Sequence, residues 1–180
     1  MLYITIPSQE FWDEKKEEFV TIKEQTLQLE HSLVSVSKWE AKWRKVFLSK
    51  KDKTNEEVID YIKCMTITQN VDPDVYKYLT KENIEEIQEY ITAPMTATWF
   101  SDETHSGSSS EQVTSELIYY WMIAQNIPFE CQKWHLNRLL TLIRVCSIKN
   151  KSPKKMSKSE IMMRNASLNA ARRKQLNSKG

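Results

Sequence analysis

The sequence predicts a mainly α-helical protein with a small N-terminal β element and a basic C-terminal helical tail. Three observations lead to this fold class. The 180 residues include two glycines, Gly107 and Gly180, where average usage near 7% would give roughly a dozen. Apolar residues recur at helical spacing behind capping sequences over most of the chain. Basic residues concentrate after residue 148.

The shortage of glycine limits the functions that the chain can carry. Phosphate-cradling loops, dinucleotide-binding turns and nucleophile elbows need backbone at positive φ or in close approach to a ligand, which glycine supplies. None of these motifs is present in the sequence. The composition therefore favours a helical binding or assembly protein over an enzyme.

The N-terminal region predicts the β element and one short helix. Leu2–Ile6 is β-prone and ends at Pro7, and Thr26–Leu33 alternates apolar and polar residues with period two, as a half-buried strand does. His31 falls in that second strand between polar neighbours, so we expect it to be exposed. A helix is predicted next, because apolar residues recur at helical spacing: Val36, Trp39, Trp43 and Phe47.

Further helical segments are predicted from capping residues, prolines and apolar periodicity. Thr54 with Glu57 forms a capping box, and so does Ser157 with Glu160. The segments lie at about 54–65, 72–79, 80–93, 116–125, 130–146 and 157–176. The predicted organisation is an N-terminal strand–helix element (1–50), a helical body (51–148) with a mobile loop near 101–110, and a basic linker with a C-terminal helix (149–180).

Charge divides the chain into two parts. Residues 149–180 hold ten Lys or Arg and one Glu, a net charge of +9, whereas the first 148 residues have a net charge of −7. The acidic clusters at 56–60 and 82–89 occupy predicted helix starts or outer faces, where the helix dipole or solvation accounts for them. We therefore expect a basic tail on a mildly acidic body.

The sequence offers no candidate catalytic, cofactor-binding or metal-binding residues. His31, His105 and His135 lack metal-ligand spacing and have no accompanying cysteine cluster. Nothing positions a Ser–His or Cys–His pair, and we expect His135 to be a hydrogen-bonded structural histidine. The three cysteines, at positions 64, 131 and 146, form no CxxC pair, which favours buried free thiols in a reducing compartment.

Six tryptophans are more than a core of this size needs. Core packing and a partner-binding surface both remain open for them, because tryptophan is enriched at interface hot spots. The segment 116–125 is apolar on all sides, which indicates either a central helix or an oligomer contact. The candidate partner-binding residues are Trp39, Trp43, Phe47, Trp121, Met122 and Trp134.

The basic tail has two interpretations. As a nucleic-acid arm it would bind in a salt-dependent, sequence-independent way, although it has no aromatic residue between its charges for base stacking. As a docking segment it offers a thin apolar stripe and would be ordered by an acidic partner. Its candidate contact residues are Lys154, Lys155, Lys158, Arg164, Arg172, Arg173 and Lys174.

The sequence also bears on localisation. The N-terminus lacks the basic start and long apolar run of a signal peptide. The longest apolar stretch, Leu117–Ala124, is far shorter than the roughly 20 residues that span a bilayer. We therefore expect a soluble intracellular protein that is not secreted and has no membrane partner.

Five short runs give the chain a family resemblance. They are His31–Glu40 continuing into Trp43, Tyr61–Met65, Pro94–Thr98, Trp134–Leu140 and Leu168–Arg173. Along most of the chain this layout resembles the tail assembly chaperones of long-tailed, siphovirus-like bacteriophages. The runs are not catalytic signatures, and the family has no residue-level site pattern to transfer onto this sequence.

The resemblance implies a viral protein of virion morphogenesis that acts in the bacterial host cytoplasm and is absent from the finished particle. Such a protein binds and solubilises the tape measure protein and helps to recruit tail tube subunits, without chemistry. Family members are often made in a short and a frameshift-extended form. The seven methionines and six tryptophans are compatible with an adaptable apolar groove for a helical partner. A homo-oligomer, in which the tail docks on a neighbour's acidic body, is compatible with the charge division.

Three other functions remain open. The first is a nucleic-acid-associated phage protein that uses the basic tail, the second is a structural tail or head-completion component, and the third is an enzyme of unknown type. DNA or RNA that co-purifies and is released by high salt would indicate the first. Presence in finished particles would indicate the second.

Overall fold

The computed structural model describes residues 1–13, 17–100, 112–150 and 157–177. The chain is mainly helical with a small N-terminal antiparallel sheet, which confirms the fold class predicted from the sequence. It divides into two compact units, Met1–Ser147 and Ile148–Gly180. The first unit takes in both the predicted N-terminal element and the predicted helical body. The loop predicted near 101–110 lies outside the described residues.

The strands form antiparallel pairs at the start of the first unit. β1 (Leu2–Ile6) pairs with β4 (Gln25–Leu29), and Ile4 lies opposite Leu27. β2 (Gln9–Asp13) pairs with β3 (Glu18–Ile22), so this hairpin is inserted between the two outer strands in the sequence. The alternation of β1 and β4 turns one row of side chains into the core: Ile4, Ile6, Leu27 and Leu29.

The described α-helices are α1 (Leu33–Trp43), α2 (Asn55–Met65), α3 (Lys81–Thr92), α4 (Ser115–Ala124), α5 (Leu136–Asn150) and α6 (Lys158–Leu176). Two 3₁₀ helices, Pro73–Tyr78 and Phe129–Lys133, precede α3 and α5. The predicted capping boxes at Thr54 and Ser157 are confirmed at the starts of α2 and α6. Similar reciprocal boxes begin α1 at Ser32 and α3 at Thr80.

The core of the first unit lies where α1 packs against α2 and α4, with α3 packed against β1. Trp39 is 1% exposed, and its indole Nε1 donates a hydrogen bond of 2.9 Å to the carbonyl oxygen of Glu57. From α4 and α5, Ile118 and Leu139 are buried in the same cluster. Burying each side chain of this size stabilises the fold by about 1.5–3 kcal/mol before entropy is counted.

The second predicted strand is shorter than expected, and His31 is not exposed. β4 ends at Leu29, and Ser32 already caps α1. The carbonyl oxygen of His31 accepts a 2.7 Å hydrogen bond from the backbone N–H of Leu136. This hydrogen bond places the start of α5 against the residue, and His31 is 2% exposed.

Other boundaries also differ from the prediction. α1 ends at Trp43 because Arg44 takes the left-handed conformation at φ 52°, so Phe47 lies beyond the helix. The segment predicted as one helix at 130–146 is a 3₁₀ helix followed by α5. Glu57 and Asp60, expected on a solvated face, are buried and pair with Lys45 and Lys42.

The second unit contains α6, a helix of 19 residues. Every residue from Ser157 to Asn177 is exposed. The helix is held by its own caps, since Asn177 closes it in the left-handed conformation at φ 51°. Among the described residues, no helix is both long and apolar enough to cross a membrane.

Candidate functional site

A surface groove runs along the outer side of α2. It consists of two concavities of about 540 and 450 Å³ that share the lining residues Asn55, Ile59, Lys63 and Lys77. We call this feature the α2 groove. Its apolar lining is Trp43, Val58, Ile59, Tyr76, Leu79 and Ile84, contributed by α1, α2, the first 3₁₀ helix and α3.

Trp43 is held rigidly at one end of the α2 groove. Its indole Nε1 donates a 2.9 Å hydrogen bond to Asp60 Oδ2, and its ring stacks on Trp39 with the two centroids 6.2 Å apart. Asp60 Oδ1 receives the ammonium of Lys42, and this hydrogen bond raises the pKa of the lysine. The half-buried indole therefore presents a fixed apolar face, which is the property of an interface anchor.

Lysines border the same surface. The ammonium of Lys63 lies 5.3 Å from the ring centroid of Tyr76, whose hydroxyl donates a 2.9 Å hydrogen bond to Thr66 Oγ1. Lys77 pairs with Asp74 at 2.6 Å. Both lysines are exposed, and Glu56 and Asp60 line the same surface, so the rim of the groove carries charges of both signs beside an apolar floor.

The α2 groove combines an apolar floor with charged residues of both signs. An apolar floor of this kind is the feature that receives the stripe of an amphipathic helix in helix-in-groove recognition. Charges at the rim of such a surface set the orientation and the association rate of a partner.

The structure separates the six predicted contact residues. Trp39, Phe47 and Met122 are buried in the core, so they have too little accessible surface to meet a partner in this conformation. Trp43 lines the α2 groove. Trp121 and Trp134 are half-buried and lie outside the groove lining. The guanidinium of Arg138 covers Trp134 at 4.3 Å from the ring centroid.

Five of the seven predicted tail residues lie on α6 and are exposed: Lys158, Arg164, Arg172, Arg173 and Lys174. Lys154 and Lys155 lie outside the described residues. The cations of α6 surround the helix instead of forming one face. Their arrangement suits a diffuse electrostatic contact better than a shaped one.

Sequence reasoning missed most of the groove residues. Ile59, Tyr76 and Ile84 belong to three separate elements, and only the folded chain brings them together. Ile59 follows the same apolar periodicity as Ile62 and Met65, and it packs against the core while it stays half-buried. No local signal therefore distinguished it from a core residue.

A cluster of titratable side chains is buried behind α1. His31 Nδ1 lies 2.5 Å from the Tyr61 hydroxyl, and the rings of His31 and His135 are 5.0 Å apart. His135 Nε2 donates a 2.9 Å hydrogen bond to the Tyr90 carbonyl oxygen. Burial, with repulsion from His135, lowers the pKa of His31 to about 3.

This cluster is a packing element. Burial raises the pKa of the Tyr61 hydroxyl above its usual range and lowers that of His135, so all three side chains are neutral at pH 7. They are at most 6% exposed, so a substrate has no access to them in this conformation. His135 is the hydrogen-bonded structural histidine that the sequence predicted. Within the described ranges, no group of three His, Cys, Asp or Glu side chains could hold a metal ion.

No protein-family model, curated protein or solved structure matches the chain. The assignment of a function therefore depends on the groove, the exposed basic helix and the sequence pattern.

Proposed function

We propose that the chain is a tail assembly chaperone of a long-tailed bacteriophage. It binds apolar-striped helical segments of the tape measure protein in the host cytoplasm, keeps that protein soluble and helps to bring tail tube subunits to it. The α2 groove is the observation that supports this function. A tape measure is a long helical chain that exposes apolar stripes until the tube encloses it, and such a chain needs a helix-binding surface of this kind.

The groove also indicates which helices it would accept. Trp43, Ile59 and Ile84 offer apolar contact. Lys42 and Lys77 are paired with Asp60 and Asp74, and Glu56 and Lys63 add one charge of each sign. The groove therefore accepts an amphipathic helix through its apolar stripe.

The experiment is co-expression of the full chain with the tape measure protein of the same phage, followed by measurement of the soluble tape measure fraction. Affinity for a labelled tape measure segment would be measured in parallel. Ile84→Glu places a charge in the groove at a residue that is 39% exposed. We expect it to weaken binding at least tenfold and to reduce the soluble fraction.

Ile123→Glu on α4 is the matched control, because Ile123 is 60% exposed and does not line the groove. It makes the same chemical change on another helix and should leave both readouts unchanged. Failure of the wild-type chain to bind or solubilise the tape measure protein would contradict the proposal. Equal effects of both variants would contradict the groove as the binding surface.

The exposed basic helix favours a second candidate, a nucleic-acid-associated protein. α6 carries five exposed cations and one glutamate, which suits phosphate contacts that depend on salt. Nucleic acid that co-purifies at low salt, is released at high salt and is lost on deletion of 149–180 would support this candidate. Tape measure binding that survives high salt would favour the chaperone.

A further inference from the structure

A concavity distinct from the α2 groove lies between the end of α1 and the start of α2. It has a volume of about 430 Å³, and its charged lining consists of Arg44, Lys45, Lys51, Asp52, Lys53 and Glu57. We call it the basic pocket. Its volume falls within the range of about 300–1,000 Å³ that is usual for small-molecule sites.

The charges of the basic pocket do not balance. Glu57 is fully engaged, because Oε1 receives the ammonium of Lys45 and Oε2 accepts a 2.9 Å hydrogen bond from the backbone N–H of Thr54. These contacts lower the pKa of the Glu57 carboxyl. None of Arg44, Lys51 and Lys53 forms an ion pair with a carboxylate of the described residues.

Lys53 is the most constrained of these cations. Its ammonium lies 4.5 Å from the ring centroid of Phe47 and 5.9 Å from that of Trp39. Burial lowers the pKa of this lysine, although the nearby Glu57 acts in the opposite direction. A partly desolvated cation that forms no ion pair of its own is stabilised when an anion binds beside it.

Arg44 adds a donor of suitable geometry. It ends α1 in the left-handed conformation, and its backbone N–H donates a 2.7 Å hydrogen bond to the Glu40 carbonyl oxygen. The backbone at this position is therefore fixed at the pocket. A guanidinium can bond two oxygens of one phosphate at once, whereas each lysine acts as a point charge.

We propose that the basic pocket binds a compact phosphate-bearing anion with two or more negative charges. The surplus of two positive charges in the lining sets the ligand charge, and the volume of about 430 Å³ suits a compact ligand. Free oligophosphate and the phosphate groups of a nucleotide share this chemistry. This site is separate from the α2 groove, so it does not depend on the proposed chaperone function.

The test is calorimetric titration of the full chain with sodium pyrophosphate, sodium tripolyphosphate and ATP at constant ionic strength. The double variant Arg44→Gln/Lys53→Met removes two pocket charges while keeping the side-chain stems. The double variant Arg172→Gln/Arg173→Gln removes two charges from α6 and is the matched control. Thermal melting followed by circular dichroism checks that both variants are folded.

We expect one site that binds tripolyphosphate. Its affinity for tripolyphosphate should be at least tenfold weaker in the pocket variant and within twofold of wild type in the α6 control. ATP binding as tight as tripolyphosphate, or tighter, would identify a nucleotide as the source. Weaker ATP binding would identify free oligophosphate. No binding at millimolar concentration, or binding lost in the α6 variant alone, would overturn the proposal.

Discussion

The carboxylate of Glu40 accepts a 2.8 Å hydrogen bond from the backbone N–H of Ser115, 75 residues further along the chain. Its other oxygen accepts a 2.8 Å hydrogen bond from the backbone N–H of Phe47. One buried side chain thus fixes both the turn after α1 and the first residue of α4. The position also suits a negative charge, since the N-terminus of a helix is electropositive.

Glu40→Ala should destabilise the protein by about 2–4 kcal/mol, because it leaves two buried backbone N–H groups without an acceptor at about 1–3 kcal/mol each. Urea unfolding followed by circular dichroism measures the change. Glu40→Gln is the control, since its amide oxygen can still serve one of the two donors. A loss below about 0.5 kcal/mol for the alanine variant would mean that water replaces the carboxylate.

Stability should increase as the pH is raised from 5 to 6.5. His31 has a pKa of about 3 in the folded protein and about 6.5 when unfolded. The unfolded chain therefore binds more protons than the folded protein between these two pH values. The contribution of neutral His31 to stability is complete above pH 6.5 and is lost as the pH falls. The expected slope from His31 is about 1.4 kcal/mol per pH unit.

Urea midpoints measured at pH 5 and pH 7 test this dependence. His135 faces His31 and also has a lowered pKa, so it should add to the slope. His31→Asn keeps a group near the Tyr61 hydroxyl but cannot titrate, and it should reduce the difference between the two pH values. An unchanged difference in this variant would show that other groups control the pH response.

Trp39 and Trp43 should respond differently to the same substitution. Trp39→Phe removes the donor to the Glu57 carbonyl oxygen and should cost about 1–3 kcal/mol, because a buried hydrogen bond is lost and the smaller ring leaves a cavity. Trp43→Phe removes a donor to Asp60, which keeps its contact with Lys42, so its effect on stability should be smaller. Unfolding free energies give the comparison, and equal losses would contradict the assignment of Trp39 to the core.

Ser157→Ala should reduce helicity without moving the main unfolding transition. Ser157 Oγ accepts the backbone N–H of Glu160 at 3.2 Å, and an N-cap of this type contributes about 0.5–2 kcal/mol to its helix. α6 has no buried residue, so the core does not depend on it. Ellipticity at 222 nm should fall while the urea midpoint stays constant. A shifted midpoint would show that α6 supports the first unit.

Local signals predicted much of the fold. Thr54, Thr80 and Ser157 begin helices where the sequence placed them, because capping depends on residues only three positions apart. Buried positions in β4 and on α5 also followed from periodicity alone. These features depend only on residues that are close together in the sequence.

Features that depend on distant contacts were not predictable. The β2–β3 hairpin lies in a stretch that reads as acidic and has no strong turn dipeptide. His31 reads as an exposed strand residue until the start of α5 is placed against it. The α2 groove needs four elements in their final positions, and only Trp43 of its apolar lining was a candidate beforehand.

The reciprocal capping boxes at Ser32, Thr54, Thr80 and Ser157 have a consequence for how the chain can vary. The capping box, formed by the N-cap residue and the third residue of the helix, fixes where each of these helices begins. The length of the preceding connection does not. Insertions or deletions in the connections before α2 and α3 should therefore leave the helical register intact. The scaffold can change its loops in evolution, or accept a grafted peptide there, without losing the side-chain rows that build its core.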